Sequence, residues 1–382
     1  MLSFLRISSA YPSFIKKLQN NNLRNLNYNS LIDLYFKENY SVSNNITNEL
    51  SKLNYECKEV ISNFDLSQKL WLKEFGNKRS KDNIIIQQIK FYKPDIVYLG
   101  NSELANKEMI DLIRQQDFIK LILSFHCAPF NKKIFRNLKN VDGIVTCTEG
   151  YYIKCINEIS KNVLLMQHAF PKKIIKDNIK KNINLSFIGS IFLEKKLHYD
   201  RVDIIYSLMR KFNNKFIAIN FSNKFFLSYF FALFKSIYKF SIFKDFSFFF
   251  KILYIYSFAR KPIFGKDMYN VLSKTKILIN THIGDTEFAG NMRLFEGTGL
   301  GCLVITDKKK GLEKLFNIGD EIDIFLNKED LIQKCGKYLS DEKLLNKISI
   351  NGYKKTYNFH NYENRINLLN NFIKKLLNEK NL

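Results

Sequence analysis

The sequence predicts an α/β protein with two parallel-sheet domains, on three observations. Short apolar, β-branched runs alternate with helical stretches of roughly 10–15 residues, the pattern of βαβ units. The alternation breaks in a Lys-rich stretch around Pro171–Asn182. It then restarts and continues towards a helical C-terminus.

In the first half, Leu31–Glu38 and Asn44–Asn54 carry helical spacing, and Lys69–Phe75 holds the single tryptophan, Trp71. Ile84–Lys90 reads as helix, ahead of the strand run Pro94–Gly100. A helix at Glu103–Gln115 leads into the run Ile119–Phe125, closed by His126-Cys127-Ala128-Pro129. Gly143–Cys147 and Val163–Met166 are further strand runs, separated by a helix at Glu149–Ile159. In the second half, strands are expected at Ile183–Ile188 (ending in Gly189-Ser190), Lys215–Ile219, Lys276–Asn280 and Cys302–Thr306. The helices between them are His198–Phe212, Met268–Ser273 and Met292–Thr298. The expected division is 1–178, 179–358 with an insertion at 221–262, and a tail at 359–382. Ligands of open α/β sheets bind beyond the carboxyl ends of the strands, so two such domains facing each other would make a cleft.

Composition narrows the class. With 382 residues and 46% hydrophobic content the chain can bury sizeable cores, which excludes a disordered or collagen-like protein. The net charge of +24 suits nucleic acid, an anionic membrane or a phosphorylated substrate, or else reflects drift in a chain rich in Lys, Asn, Ile, Phe and Tyr throughout. The excess is spread, its longest run being Lys308-Lys309-Lys310, without the one-face stripe of a nucleic-acid footprint. Six scattered cysteines, with no CxxC pair and no His at zinc spacing, read as those of a reducing compartment rather than a disulfide framework. Met1–Ala10 is short, is interrupted by Arg6 and lacks a cleavage site, so no secretory signal is expected. No segment gives 18 uninterrupted apolar residues. A cytoplasmic location is the expectation.

One segment breaks the alternation. Phe221–Arg260 holds 13 of the 35 phenylalanines and no Gly or Pro, with six cations against one acid, Asp245. Such a segment can lie in the headgroup plane of a bilayer, its lysines snorkelling outward, or form core-facing helices inserted into the second domain. The first reading makes the protein peripheral on the inner face of a membrane.

The richest stretch runs from Asn280 to Asp307. A strand ends at Asn280, a polar loop follows, and Gly290-Asn291 opens a helix carrying Arg293 and Glu296. Free N–H groups at a helix N-terminus form an anion site, and Gly290 allows a phosphate to approach them. Arg293 can add a charge-assisted contact, and Glu296, a turn deeper, can accept from vicinal hydroxyls. Phosphate beside sugar hydroxyls describes a nucleotide-sugar. The plain alternative is an N-capped helix with a surface Arg–Glu pair.

This stretch resembles the donor motif of GT-B glycosyltransferases, in the CgeB-like branch that is similar to glycosyltransferase family 4. The block GNMRLFE-x-x-G-x-G stands intact from Gly290 to Gly301. Trp71–Glu74, Lys93-Pro94-Asp95, His126–Pro129, Gln167–Phe170, Phe187–Ser190, His198–Arg201 and Phe264–Tyr269 agree in order. The resemblance implies two Rossmann-like domains across a cleft, with the final helix packing back on the first domain. It also implies transfer of a sugar from a nucleotide diphosphate-sugar to an acceptor bound mainly by the N-terminal domain.

The resemblance further implies roles for single residues. Glu296 would be the distal acid of an E-x7-E motif, holding the donor ribose. That spacing puts the proximal acid at Phe288, and the nearest acid, Glu287, lies one residue further away. Asn291 and Met292 would lie near the diphosphate, as would Gly189 and Ser190. Arg201 would neutralise the leaving group, with Lys195 and Lys196 left on a solvated face. His126, at a strand end, is either near the reacting centre or a backbone cap, and His168 serves hinge packing or acceptor contact. His126, Arg201 and Glu287 are thus the catalytic candidates.

Other chemistries find little support. GxSxG and the phosphate-binding GxxxxGK[ST] are both missing, and the five histidines are far apart. No metal site and no cofactor are expected, since GT-B enzymes stabilise the leaving group with basic groups and helix N-termini. A cell-envelope or surface glycan, or a lipid-linked glycan, is the acceptor class by analogy. The rival reading is a non-catalytic protein on the same scaffold that binds a membrane surface or, less fittingly, nucleic acid.

Overall fold

The computed structural model describes residues 1–19, 23, 25–41, 43–174, 180–192, 198–221, 242–283 and 287–381. Lys195, Lys196, part of the Lys-rich stretch (175–179) and residues 222–241 of the Phe-rich segment lie outside the described residues.

The chain divides into two compact units, Met1–Pro171 with Asn361–Leu382, and Lys172–His360. The first holds a six-stranded parallel sheet of β1 (Leu2–Ser8), β2 (Tyr55–Ile61), β3 (Ile96–Leu99), β4 (Leu121–His126), β5 (Gly143–Thr146) and β6 (Val163–Leu165). Its spatial order is β2-β1-β3-β4-β5-β6. Side chains alternate across it with the two-residue period of a strand. Phe4, Tyr98, Leu121, Leu123 and Val145 face one core with the helix Tyr362–Glu379, while Leu5, Ile7, Val97, Leu99, Ile122 and Ile144 face the other. The C-terminal helix belongs to this first unit because its apolar stripe, Ile366, Leu369, Ile373 and Leu376, completes that core.

The second unit holds β7 (Ile183–Ile191), β8 (Lys215–Phe221), β9 (Thr275–Asn280), β10 (Leu303–Asp307) and β11 (Asp323–Phe325), ordered β11-β10-β9-β7-β8 and all parallel. Strand order reverses between β7 and β9, the switch point where open α/β sheets bind ligands.

Several elements differ from the sequence expectation. β1 runs straight through Arg6, which is buried and whose Nη1 donates to Glu59 at 3.0 Å and to the Ser43 carbonyl at 2.5 Å. β2 and the three-residue β11 carry no clear strand signal in the sequence, because three of the seven residues of YECKEVI are charged, two of them adjacent, and β11 is too short to show a pattern. Gly189 and Ser190 do not form a turn after the strand: β7 continues to Ile191, pairing them with Ile219 and Asn220. In the Phe-rich segment, the helix Ile242–Phe258 buries Ile252 and Ile255 in the second unit's core, and Lys251 pairs with Asp203 at 2.5 Å. Within the described residues this is the core-facing alternative, with Phe250, Tyr256 and Phe258 left exposed. Among the described residues, no helix is long and apolar enough to cross a membrane.

Candidate active site

β9 delivers the chain to the sheet's carboxyl edge at Asn280, and the helix Met292–Gly299 carries it away. Gly290 sits at φ +134°, where a side chain would be strained, so glycine sets this bend. Asn291 is the N-cap in extended conformation, yet its side chain makes no capping bond. Its Nδ2 instead donates back to Asn280 Oδ1 at 2.8 Å and to the Thr281 carbonyl at 3.3 Å. Asn291 Oδ1 is buried without a hydrogen-bond partner among the described residues. The helix N-terminus therefore keeps its partial positive charge free of a side-chain cap.

Glu296 follows one turn in, with 3% of its surface exposed. Arg293 Nη1 donates to its Oε2 at 2.5 Å, and the Tyr269 hydroxyl donates to its Oε1 at 3.4 Å. Burial pushes the Glu296 carboxyl up, against the opposing pull of Arg293 and Tyr269. Arg293 Nε is buried without a partner among the described residues. The pair is thus a buried acid and a half-buried base rather than a surface ion pair, with one donor and one acceptor near the bend unspent.

Arg201 stands at the switch point. Its Nε donates to Thr281 Oγ1 (2.7 Å), Nη1 to the Ser190 carbonyl (2.6 Å), and Nη2 to the carbonyls of Thr281 (2.9 Å) and His282 (3.3 Å). The guanidinium therefore locks the end of β7 to the end of β9. Burial pulls its pKa down to about 10, which leaves it charged at neutral pH. Beside it, His282 Nδ1 donates to Asp307 Oδ1 at 2.7 Å, and His282 Nε2 accepts from the Gly290 N–H at 3.3 Å. Burial works against the Asp307 carboxylate, but the His282 donors outweigh it and hold it below the usual range. A cavity of about 450 Å³ opens here, lined among others by Arg201, His282, Asp307, Lys308, Lys309 and Lys328.

The remaining candidates are Glu287 in the second unit and His126 and His168 in the first. Glu287 is exposed and pairs with Lys310 at 2.9 Å, which holds its carboxyl low. His126 ends β4 in the first unit, where Nδ1 meets Ser102 Oγ at 2.8 Å and Nε2 is buried without a partner among the described residues. Burial lowers its pKa to about 4, so it is neutral at physiological pH. His168 is half-buried in the first unit, its Nε2 3.5 Å from Cys127 Sγ. The reading of the cysteines needs correction: Cys127 and Cys147 form a disulfide. Twenty residues separate them in sequence, but they end the paired strands β4 and β5.

Tyr269, Thr281, His282 and Asp307 lie within stretches that the sequence singles out, but nothing in it assigns them a role. Asp307 and His282 are 25 positions apart and meet only because β9 and β10 pair in register, Asn280 against Thr306. A polar residue at or just past the end of each of two strands is the one available signal.

The glycosyl transferase-like family matches residues 253–371, a span that includes the bend, Arg293, Glu296 and Asp307. Among solved structures, HepE of Anabaena, in complex with UDP and glucose, is similar over 98% of this chain and 100% of its own, at 9% identity and TM-score 0.61. A glycosyltransferase of Rickettsia africae is similar over 98% of both chains at 13% identity and TM-score 0.61. Sucrose-phosphate synthase of Thermosynechococcus elongatus is similar over 99% of this chain and 100% of its own, at 9% identity and TM-score 0.57. No curated protein matches by sequence. The paired sheets have the GT-B fold. On that fold, residues 253–371, which run from the second unit into the C-terminal helix, are similar to the glycosyl transferase-like family.

Proposed function

We propose that this protein is a glycosyltransferase that moves a sugar from a UDP-linked donor to a cell-envelope or surface glycan, with no resident metal. The observation that carries the reading is the bend at Gly290–Asn291, an uncapped helix N-terminus backed by the buried Arg293–Glu296 pair. The solved complex of HepE with UDP and glucose, on the same fold, favours uridine as the base.

The roles follow from the chemistry of each group. The donor diphosphate sits on the N–H groups of Met292 and Arg293, where the helix dipole favours negative charge. Glu296 accepts from the ribose hydroxyls. As the sugar–phosphate bond breaks, charge grows on the departing diphosphate. Donors already fixed in place stabilise that charge without reorganising. Arg201 is a positioning residue, since its hydrogen bonds tie strand ends together and leave one N–H to reach outward. Ser190 acts through the same tie, with Gly189 beside it on β7, and Glu287 has no part in donor binding. On the acceptor side, neutral His126 Nε2 can take a hydrogen bond from the incoming hydroxyl. A cytoplasmic, membrane-peripheral location agrees with the +24 charge and the exposed Phe250 and Phe258. Retention of the full chain but not of a 221–260 deletion on anionic vesicles would support it, and equal retention would refute it.

Donor hydrolysis and transfer with UDP-, GDP- and dTDP-sugars tests the function. Turnover is expected with a UDP-sugar, and Glu296→Gln should lower kcat/KM roughly 10–100-fold, the worth of a charged hydrogen bond. Turnover with none of the donors, or full activity in Glu296→Gln, would overturn the proposal.

A further inference from the structure

The first unit carries a second cluster that sugar transfer does not use. Cys127 follows β4, Cys147 follows β5, and His168 lies three residues past β6. Three neighbouring parallel strands therefore bring two sulfurs and an imidazole to one edge of the sheet. Their ligand atoms, Cys127 Sγ, Cys147 Sγ and a ring nitrogen of His168, all lie within 4.8 Å of one another. Cys147 is fully buried, and Cys127 and His168 are half-buried.

We propose that this cluster is a redox-gated binding site for a thiophilic divalent cation of the zinc type: closed while Cys127 and Cys147 are joined, open when they are reduced.

Geometry favours this over a disulfide alone. Zinc holds sulfur at about 2.3 Å and nitrogen at about 2.0–2.1 Å in a tetrahedron, which sets neighbouring S and N ligands about 3.5 Å apart. Cys127 Sγ and His168 Nε2 are already 3.5 Å apart. The two Cα atoms are 5.6 Å apart, so side-chain rotation alone opens the sulfurs to the roughly 3.8 Å that two zinc-bound thiolates need. Three protein ligands leave the fourth position of a tetrahedron open to water or another small ligand.

The chemistry balances with a thiol reductant. A dithiol gives two electrons and two protons to the Cys127–Cys147 bond and becomes a disulfide itself, leaving two thiols on the protein. The cation then displaces both thiol protons, and His168 binds as the neutral ring. Cys127 directly follows His126, so the loaded and oxidised forms hold the acceptor-side histidine by different neighbours.

The test is a titration of the full chain with Co(II) and then Zn(II), after reduction and removal of the reductant in the absence of oxygen. Reduced protein is expected to bind one equivalent, with a thiolate-to-cobalt charge-transfer band that Zn(II) abolishes. Oxidised protein should show no such band. Cys127→Ser, Cys147→Ser and His168→Gln should each weaken binding on the order of tenfold or more, while Cys57→Ser leaves it unchanged. Far-ultraviolet circular dichroism identifies any variant that has not folded, and the two remaining ligand variants then decide. Equal metal binding by the reduced and oxidised chains would overturn the proposal. So would undiminished binding in folded His168→Gln, or a reduced chain that binds none. The readout is the metal itself, so it stands or falls apart from sugar transfer.

Discussion

His282 gives Asp307 two hydrogen bonds on one oxygen, from ring Nδ1 at 2.7 Å and from its own backbone N–H at 2.9 Å. With Nδ1 bearing the proton, Nε2 is free to accept from the Gly290 N–H at 3.3 Å. A carboxylate at the end of β10 thereby fixes the imidazole that holds the bend. Asp307→Ala removes the carboxylate and frees the ring to turn, loosening the turn on which the donor diphosphate is proposed to lie. Donor affinity measured by calorimetry should fall on the order of tenfold, as for loss of a group that orients a ligand. Unchanged donor affinity would show that the bend holds itself.

The buried fork of Arg201 makes a claim about stability. Replacing it with Met removes the guanidinium donors from the Ser190 and His282 carbonyls and leaves the Thr281 carbonyl only its longer bond from Asn291 Nδ2. Each unpaired group costs about 1–3 kcal/mol, so urea unfolding should show a loss of about 2–4 kcal/mol. Arg201→Lys should recover only part of it, because an ammonium cannot span acceptors on two strand ends as a planar fork does. A loss under ~0.5 kcal/mol in the Met variant would contradict this role.

Two glycines should respond in opposite directions to alanine. Gly297 lies where the helix Met292–Gly299 presses on the sheet, and an added Cβ would collide with Leu278 Cδ2 and come within 2.8 Å of Val304 Cγ2. Gly297→Ala should therefore cost about 1–3 kcal/mol by overpacking. Gly336, inside the helix Lys328–Ser340, has nothing within 4 Å of an added Cβ. There alanine should stabilise by about 0.5–1 kcal/mol through helix propensity and a less free unfolded chain. Thermal denaturation of both variants checks the pair.

That contrast also explains why the donor block was legible in the sequence. Gly290 to Gly301 is contiguous, and its glycines answer local demands: a positive φ at Gly290 and at Gly301, and close packing at Gly297. The alternation of β3, β4, β5, β7 and β9 was legible for a similar reason, since strands buried on both faces read as unbroken apolar runs. β1 was hidden because its Arg6 finds Glu59 on the neighbouring β2, a partner 53 positions away. His282 with Asp307, and Cys127 with Cys147 and His168, were hidden by the same logic. Adjacent strand ends bring them together, and no local spacing encodes which strands will be adjacent.

Acid should weaken the fold through its buried histidines. Burial pulls His126 and His168 to about 4 and His198 to about 3, against an ordinary value of 6.5. Between pH 6.5 and those folded values the unfolded chain binds protons that the native chain refuses. Unfolding is thus favoured as pH falls, and the loss is complete once pH passes below the folded pKa. Each such histidine removes up to about 1.4 kcal/mol of stability per pH unit within its window. Urea midpoints measured from pH 7.5 to 5 should therefore decline, mostly below pH 6.5. His198 offers the cleanest control, because its Nδ1 accepts from the Phe192 N–H at 2.9 Å and an asparagine oxygen can take that bond. His198→Asn should flatten the decline by about one histidine's share while leaving stability at pH 7.5 within ~1 kcal/mol of the parent. A parent curve already flat between pH 6.5 and 5 would mean that these rings accept protons in the folded state, and the neutral form assigned to His126 and His168 would fall with it.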